Sequence, residues 1–267
     1  MNFVDSHTHI SALTMDNLSN MYLAGIRTVV APIQLGCGRP LQPETIVDVW
    51  NSQFEKHFKR CKQAQITPYS MLGISMVATP AHGEEYLCKV LEEFLSRAEV
   101  VAIGEVGFEP GSATNQDHDY QRKLLQMQIE LAKKTGKVIN IHTPNASARK
   151  IEATNESLQM CKESGMDMSK VVIDHCSIDN LDLVLSSGAY ASISVQPWRG
   201  ISPETAAGWV LGLKDSERVM VDSDSSELVS DPIAVAKTAA ALSKKGAPKE
   251  LIEAVCGGNA MRAYRIS

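Results

Sequence analysis

Short runs rich in Val and Ile alternate along this chain with longer stretches whose apolar residues recur every three or four positions. The first pattern fits strands buried on both faces, and the second fits amphipathic helices laid against them. Strands are predicted at residues 3–7, 27–33, 67–74, 100–105, 138–142, 171–175, 189–195 and 218–222. Helices are predicted near 14–24, 43–65, 82–98, 117–136, 146–164, 178–187, 203–213 and 231–245. A last helix over 248–262 begins at Pro248, a residue suited to a first helical turn. Regular alternation implies parallel strands joined by right-handed crossovers. Eight such units in 267 residues point to an α/β fold, a (β/α)8 TIM barrel. Residues 1–267 are expected to form a single domain with an extra C-terminal helix. The alternative, an open doubly wound sheet, normally carries a Gly-rich phosphate loop after its first strand. Here that place holds His7-Thr8-His9.

Composition narrows the functional classes. Net charge is −5, with Lys and Arg dispersed, so no broad electrostatic footprint for nucleic acid is visible. Aromatic residues make up 5%, too few for an extended base-stacking platform. Cys37, Cys61, Cys88, Cys161, Cys176 and Cys256 form no CxxC pair, which suits reduced thiols and a cytoplasmic protein. No apolar stretch reaches membrane-spanning length, and no secretory leader is evident.

Chemistry-bearing residues gather at the predicted strand ends. The first strand runs into His7 and His9, which alternation would place on one face with Asp5. The fourth ends in Glu105, the fifth in His142, the sixth in Asp174-His175, and the eighth in Asp222-Ser223-Asp224. Each has an ordinary structural use: a strand-end histidine can be a satisfied polar residue, and Asp224 before Ser225-Ser226 can cap a helix. Together they place six metal-ligand types at the C-terminal mouth of one barrel, where barrel active sites form. Cys176 follows His175 and is expected to turn away as a packed thiol. Asp5 and Asp222 are candidate orienting carboxylates. Trp198 and Arg199, after the seventh strand, either contact an anionic or flat part of a substrate or form a structural turn. The irregular stretch 34–42 either shapes the substrate site or is a plain surface loop.

The motifs His7-Thr8-His9, Gly104-Glu105-Val106-Gly107-Phe108, Ile141-His142-Thr143, Asp174-His175-Cys176 and Asp222-Ser223-Asp224 keep a recognisable order. So do Gln121 ahead of Leu131-Ala132 and the ending Gly258-Asn259-Ala260-Met261-Arg262. The chain resembles the TatD-related metal-dependent hydrolases of the amidohydrolase superfamily. That resemblance implies two divalent ions, with His7, His9 and Asp224 on one, His142 and His175 on the other, and Glu105 on both. It implies attack by a hydroxide shared between the ions, with Asp224 and Glu105 as catalytic carboxylates and Asp224 moving the proton. Four imidazoles among the donors suit Zn²⁺, Mn²⁺ or Co²⁺ better than Mg²⁺.

The surroundings depart from the family pattern. Pro144 stands where the nucleases usually carry an arginine, Ser177 where Phe is usual, Ser225-Ser226 where Ala-Pro is usual, and Phe108-Glu109 where Leu-Asp is typical. Losing an arginine that could grip phosphate leans the reading away from extended nucleic acid. The expected substrate is a small molecule or phosphoester. A small amide, lactone or carboxylic ester is the alternative, and a non-catalytic metal-binding scaffold is the alternative of another class. No membrane partner is expected, and the oligomeric state is left open.

Overall fold

The structure, a computed structural model, describes residues 1–34, 40–76, 82–109 and 117–267. Eight parallel strands follow one another around the sheet in chain order: β1 (Phe3–Asp5), β2 (Ile26–Ala31), β3 (Thr67–Leu72), β4 (Val100–Gly107), β5 (Val138–His142), β6 (Val171–Ile173), β7 (Tyr190–Ser194) and β8 (Val219–Asp222). Between them run α1 (Met15–Leu23), α2 (Pro43–Ser52), α3 (Phe58–Gln63), α4 (Glu84–Phe94), α5 (His118–Thr135), α6 (Ser147–Glu163), α7 (Leu181–Ser187), α8 (Pro203–Gly212) and α9 (Ala234–Lys244), with α10 (Lys249–Glu253) and α11 (Asn259–Tyr264) at the end. This is the (β/α)8 barrel expected from the alternation, with its C-terminal helix. The stretch 34–42 was a candidate substrate-shaping loop, and its residues 35–39 lie outside the described residues.

Local chemistry explains the helix starts. Thr14 caps α1 in a reciprocal box with Asn17, Asp117 accepts from Tyr120 N ahead of α5, and Ser202 accepts from Thr205 N ahead of α8. Two predicted helices are interrupted. The 43–65 stretch carries a π-helical turn at Gln53–His57, where the buried Gln53 amide donates to Ala31 O at 3.1 Å. The 248–262 stretch carries another at Ala254–Gly258, with Pro248 as the cap and not a first-turn residue. Gly257 there lies so close to β1 that a Cβ would meet Asn2 O at 3.0 Å.

Apolar side chains divide into two bodies. One fills the space between sheet and helices, from Val29 and Ile103 to Leu87, Ile129 and Val235. The other fills the barrel: Val4, Val30, Met71, Ala102, Val138, Val172 and Met220 pack with Ala260, Ala263 and Tyr264 of α11. The C-terminal helix therefore packs against the barrel's apolar filling. Asn259 holds it there, its amide donating to Ser216 O at 2.8 Å and to Val219 O.

The first and last strands meet beyond their formal ends, and this junction builds the site. Asp224 N donates to His7 O at 2.9 Å and His9 N donates to Ser225 O at 2.8 Å. Asp5 completes the seam by accepting from Ser223 N at 3.0 Å and Ser223 Oγ at 2.6 Å. Asp5 is thus a latch between β1 and the segment after β8, and it also bonds the backbone of His7.

Candidate metal centre

All six residues expected as ligands converge at the barrel mouth, by a route that simple strand alternation does not give. β1 stops at Asp5, and the chain turns so that His7 Nε2 and His9 Nε2 come within 3.3 Å of each other. Glu105 lies inside β4, and His142 is the last residue of β5. His175 and Asp224 each sit two residues past a strand end, with φ of 55° and 40°. Left-handed backbone at a branched or charged side chain costs about 1–2 kcal/mol and persists only where neighbours fix it. Here they do. Lys150 Nζ donates to His175 O at 2.5 Å and Gln196 Nε2 donates to Asp224 O at 2.6 Å. The turn at His175 also sends Cys176 into the outer core, fully buried as a packed thiol.

Donor atoms face each other in two triads, each with all its donors within 4.8 Å: His7, His9 and Asp224 in one, His7, Glu105 and His175 in the other. Asp224 Oδ1 is 3.6 Å from the Nε2 of both His7 and His9. Glu105 straddles the centre. Its Oε1 accepts from His175 Nε2 at 2.7 Å and is bonded to His142 Nδ1, while its Oε2 lies 3.8 Å from His7 Nε2. His142 stands outside both triads, with its Nε2 on Glu109 Oε2 at 2.8 Å.

Residues behind the donors orient them, and several were not legible beforehand. Asp174, noted only as the neighbour of His175, is fully buried and bonded to His7 Nδ1. A proton on Nδ1 leaves the Nε2 lone pair of His7 pointing into the centre. Asp174 Oδ2 also accepts from Asn140 Nδ2 at 2.9 Å, and that amide reaches Tyr264 of α11 at 3.0 Å. Ser194 Oγ holds His175 Nδ1 at 2.7 Å. Glu109, one of the departures from the family pattern, is positioned in turn by Gln121 Oε1, which accepts from Glu109 N at 3.0 Å. Asp222 does not orient Asp224; it bonds to Ser192 deep in the barrel. Trp198 is half exposed, and Arg199 donates from Nε to Asp224 Oδ2 at 3.1 Å.

This donor set fits divalent cations. Two imidazole nitrogens with converging lone pairs need a positive charge between them, and the buried carboxylates of Asp174 and Asp224, with the partly buried Glu105, need more. Protons take that place when metal is absent. Burial alone lowers the His142 pKa, but Glu105 and Glu109 override it and raise it to about 9. His7 is likewise raised well above its ordinary value, burial being outweighed by Asp174, Glu105 and Asp224. Burial, with Arg199 adding to it, lowers His175 to about 4. Burial would raise Glu105 and Asp224, yet the histidines hold both well below the carboxylate range, with Arg199 adding its charge at Asp224.

A consequence is measurable. His142 keeps its proton up to about pH 9 and His7 is held protonated well above the ordinary imidazole range, so a cation must displace both protons to reach bare nitrogens. Apparent Zn²⁺ affinity therefore rises with pH across pH 7–9. Calorimetry of Zn²⁺ binding in two buffers of different ionisation enthalpy should show more than one proton released per chain at pH 7. Zero release would mean the imidazoles are already neutral.

Comparison with known proteins gives the family. The family model described as TatD related DNase matches residues 4–265. The chain belongs to that family. A metal-dependent hydrolase of Methanocaldococcus jannaschii is 30% identical over 267 residues, covering 98% of this chain and all of the relative. The crystal structure of a TatD-like protein from Archaeoglobus fulgidus superposes with a TM-score of 0.81 at 26% identity, covering 99% of this chain and all of that one. The phosphotriesterase homology protein of Escherichia coli, solved with phosphate in its active site, shares the fold at TM-score 0.71 and 16% identity, over 98% of each chain. The chain is a metal-dependent hydrolase of the TatD family, and the family implies use of divalent metal. No helix among the described residues is long and apolar enough to cross a membrane.

Proposed function

We propose that this TatD-family protein hydrolyses a phosphoester bond in a small substrate, using two divalent cations held at the barrel mouth. The observation that carries the reading is the Glu105 carboxylate, with one oxygen at His142 and His175 and the other turned toward His7. His7, His9 and Asp224 would hold one ion, His142 and His175 the other, and Glu105 both. Mixed imidazole and carboxylate donors favour Zn²⁺, Mn²⁺ or Co²⁺ over Mg²⁺. When bound, such a pair of cations polarises the scissile group and lowers the pKa of water toward neutrality.

The protein's own residues do the rest. Asp224 presents Oδ1 toward His7 and His9, leaving Oδ2 to accept the proton of the attacking water and return it to the leaving oxygen. The Arg199 guanidinium keeps that carboxylate ionised until then. Asp174 and Ser194 fix the imidazole tautomers of His7 and His175, and the buried seam between β1 and the Asp224 segment holds donor spacing during turnover.

A second reading is a small ester, amide or lactone hydrolase, favoured by Pro144, which offers no donor to a phosphate at the mouth of β5. Residues 1–267 would act as one catalytic domain. The free cysteines Cys61, Cys88, Cys161, Cys176 and Cys256 support a reducing compartment, the cytoplasm. Metal-loaded protein assayed against p-nitrophenyl phosphate esters and against lactones and p-nitrophenyl acetate should turn over the phosphoesters faster. Turnover of lactones or carboxylic esters alone would overturn the phosphoester assignment. Inertness toward every substrate would leave a metal-binding scaffold.

A further inference from the structure

One cation at the mouth has donors to spare. Arg199 closes a 3-10 turn (Pro197–Arg199) directly after β7, and two backbone bonds make that turn rigid: Arg199 N to Gln196 O and Gly200 N to Pro197 O, both 3.0 Å. Its side chain is 7% exposed. A guanidinium has five N–H donors, and only Nε finds a partner among the described residues, Asp224 Oδ2. The terminal nitrogens, in a nearly buried place, have none. They are not sealed from solvent, so they can be turned onto the oxygens of a ligand entering the mouth.

The carboxylate that Arg199 holds, Asp224, is itself one of the donors gathered at the centre, so the guanidinium stands at the mouth. Lys150, the neighbouring buried cation, is committed to His175 O and Thr143 Oγ1. Trp198 stands next to it, half exposed, with its ring centroid 5.3 Å from the Arg199 guanidinium carbon. A flat cation backed by an aromatic ring is well suited to fork onto two oxygens of one anion.

We propose that Arg199 binds the anionic oxygens of the substrate's phosphoryl group and selects charged phosphomonoesters and diesters over neutral esters. The inference rests on the hydrolase reading of the same site. Arg199 is then a specificity-determining residue, supplying from β7 the grip that Pro144 cannot supply from β5.

The test compares wild type, Arg199→Gln and Arg199→Lys, each loaded to the same metal content as verified by elemental analysis. The substrates are bis(p-nitrophenyl) phosphate, an anion, and diethyl p-nitrophenyl phosphate, an uncharged triester with the same leaving group. The ratio of kcat/KM for the anion over the triester should fall at least about tenfold in Arg199→Gln, mainly through KM, and recover in part in Arg199→Lys. The inhibition constant of inorganic phosphate should rise in parallel. Equal loss on both substrates, with an unchanged phosphate constant, would show that Arg199 only supports Asp224 and would overturn the proposal. Wild-type protein inert toward both esters would instead refute the phosphoester reading. Calorimetric binding of inorganic phosphate to metal-loaded protein then decides for Arg199: about tenfold weaker binding in Arg199→Gln sustains it, and unchanged binding overturns it.

Discussion

Asp224→Asn should lower kcat by about three orders of magnitude while leaving the fold intact, the scale associated with losing a positioned proton acceptor. Asn keeps an amide oxygen toward His7 and His9 and so retains weak ligation at Oδ1, 3.6 Å from both nitrogens. It cannot take a proton at the other position. It also puts an N–H donor or a neutral oxygen against the Arg199 guanidinium, now 3.1 Å from Oδ2. The loss should therefore appear in kcat more than in KM, and circular dichroism should be unchanged. A kcat within threefold of wild type would remove the proton-transfer role from Asp224.

Glu105→Gln should be as severe for a different reason. This side chain faces both donor groups, with Oε1 between His142 and His175 and Oε2 toward His7. The amide removes one negative charge from a buried centre and offers one carbonyl oxygen where two carboxylate oxygens stood. Bound metal should fall from about two equivalents to about one or fewer, and turnover should drop by about a thousandfold. Full occupancy in the variant would mean that Glu105 is not shared between the ions.

The barrel was legible because its signal is repeated: eight buried strands at regular spacing outweigh errors of a few residues at each boundary. The six candidate ligands were legible for a related reason, since barrel topology brings strand ends together whatever the sequence between them. Their exact approach was not. His7 and His9 meet because the chain turns after Asp5, and His175 and Asp224 point inward because both adopt left-handed backbone. Such conformations are imposed by tertiary contacts, here Lys150 and Gln196, and leave no mark on periodicity. Asp174 was hidden beside a more conspicuous histidine, although an aspartate next to a strand-end ligand is a signal that could have found it. Asp222 carried the same signal and went elsewhere, to Ser192, while Asp5 is taken up by Ser223 and the His7 backbone. The interruption of α2 and α3 at Gln53 was likewise invisible, because it answers to a single buried amide that bonds Ala31.

The central claim is that one hydrolytic centre holds two cations bridged by Glu105. The most direct measurement titrates metal-stripped wild-type protein with Zn²⁺ or Mn²⁺, following bound metal by elemental analysis and phosphodiester hydrolysis in the same samples. Occupancy should saturate near two equivalents per chain, with activity rising mainly as the second equivalent binds. Full activity at a single bound equivalent, with no second site filled at higher metal, would contradict it.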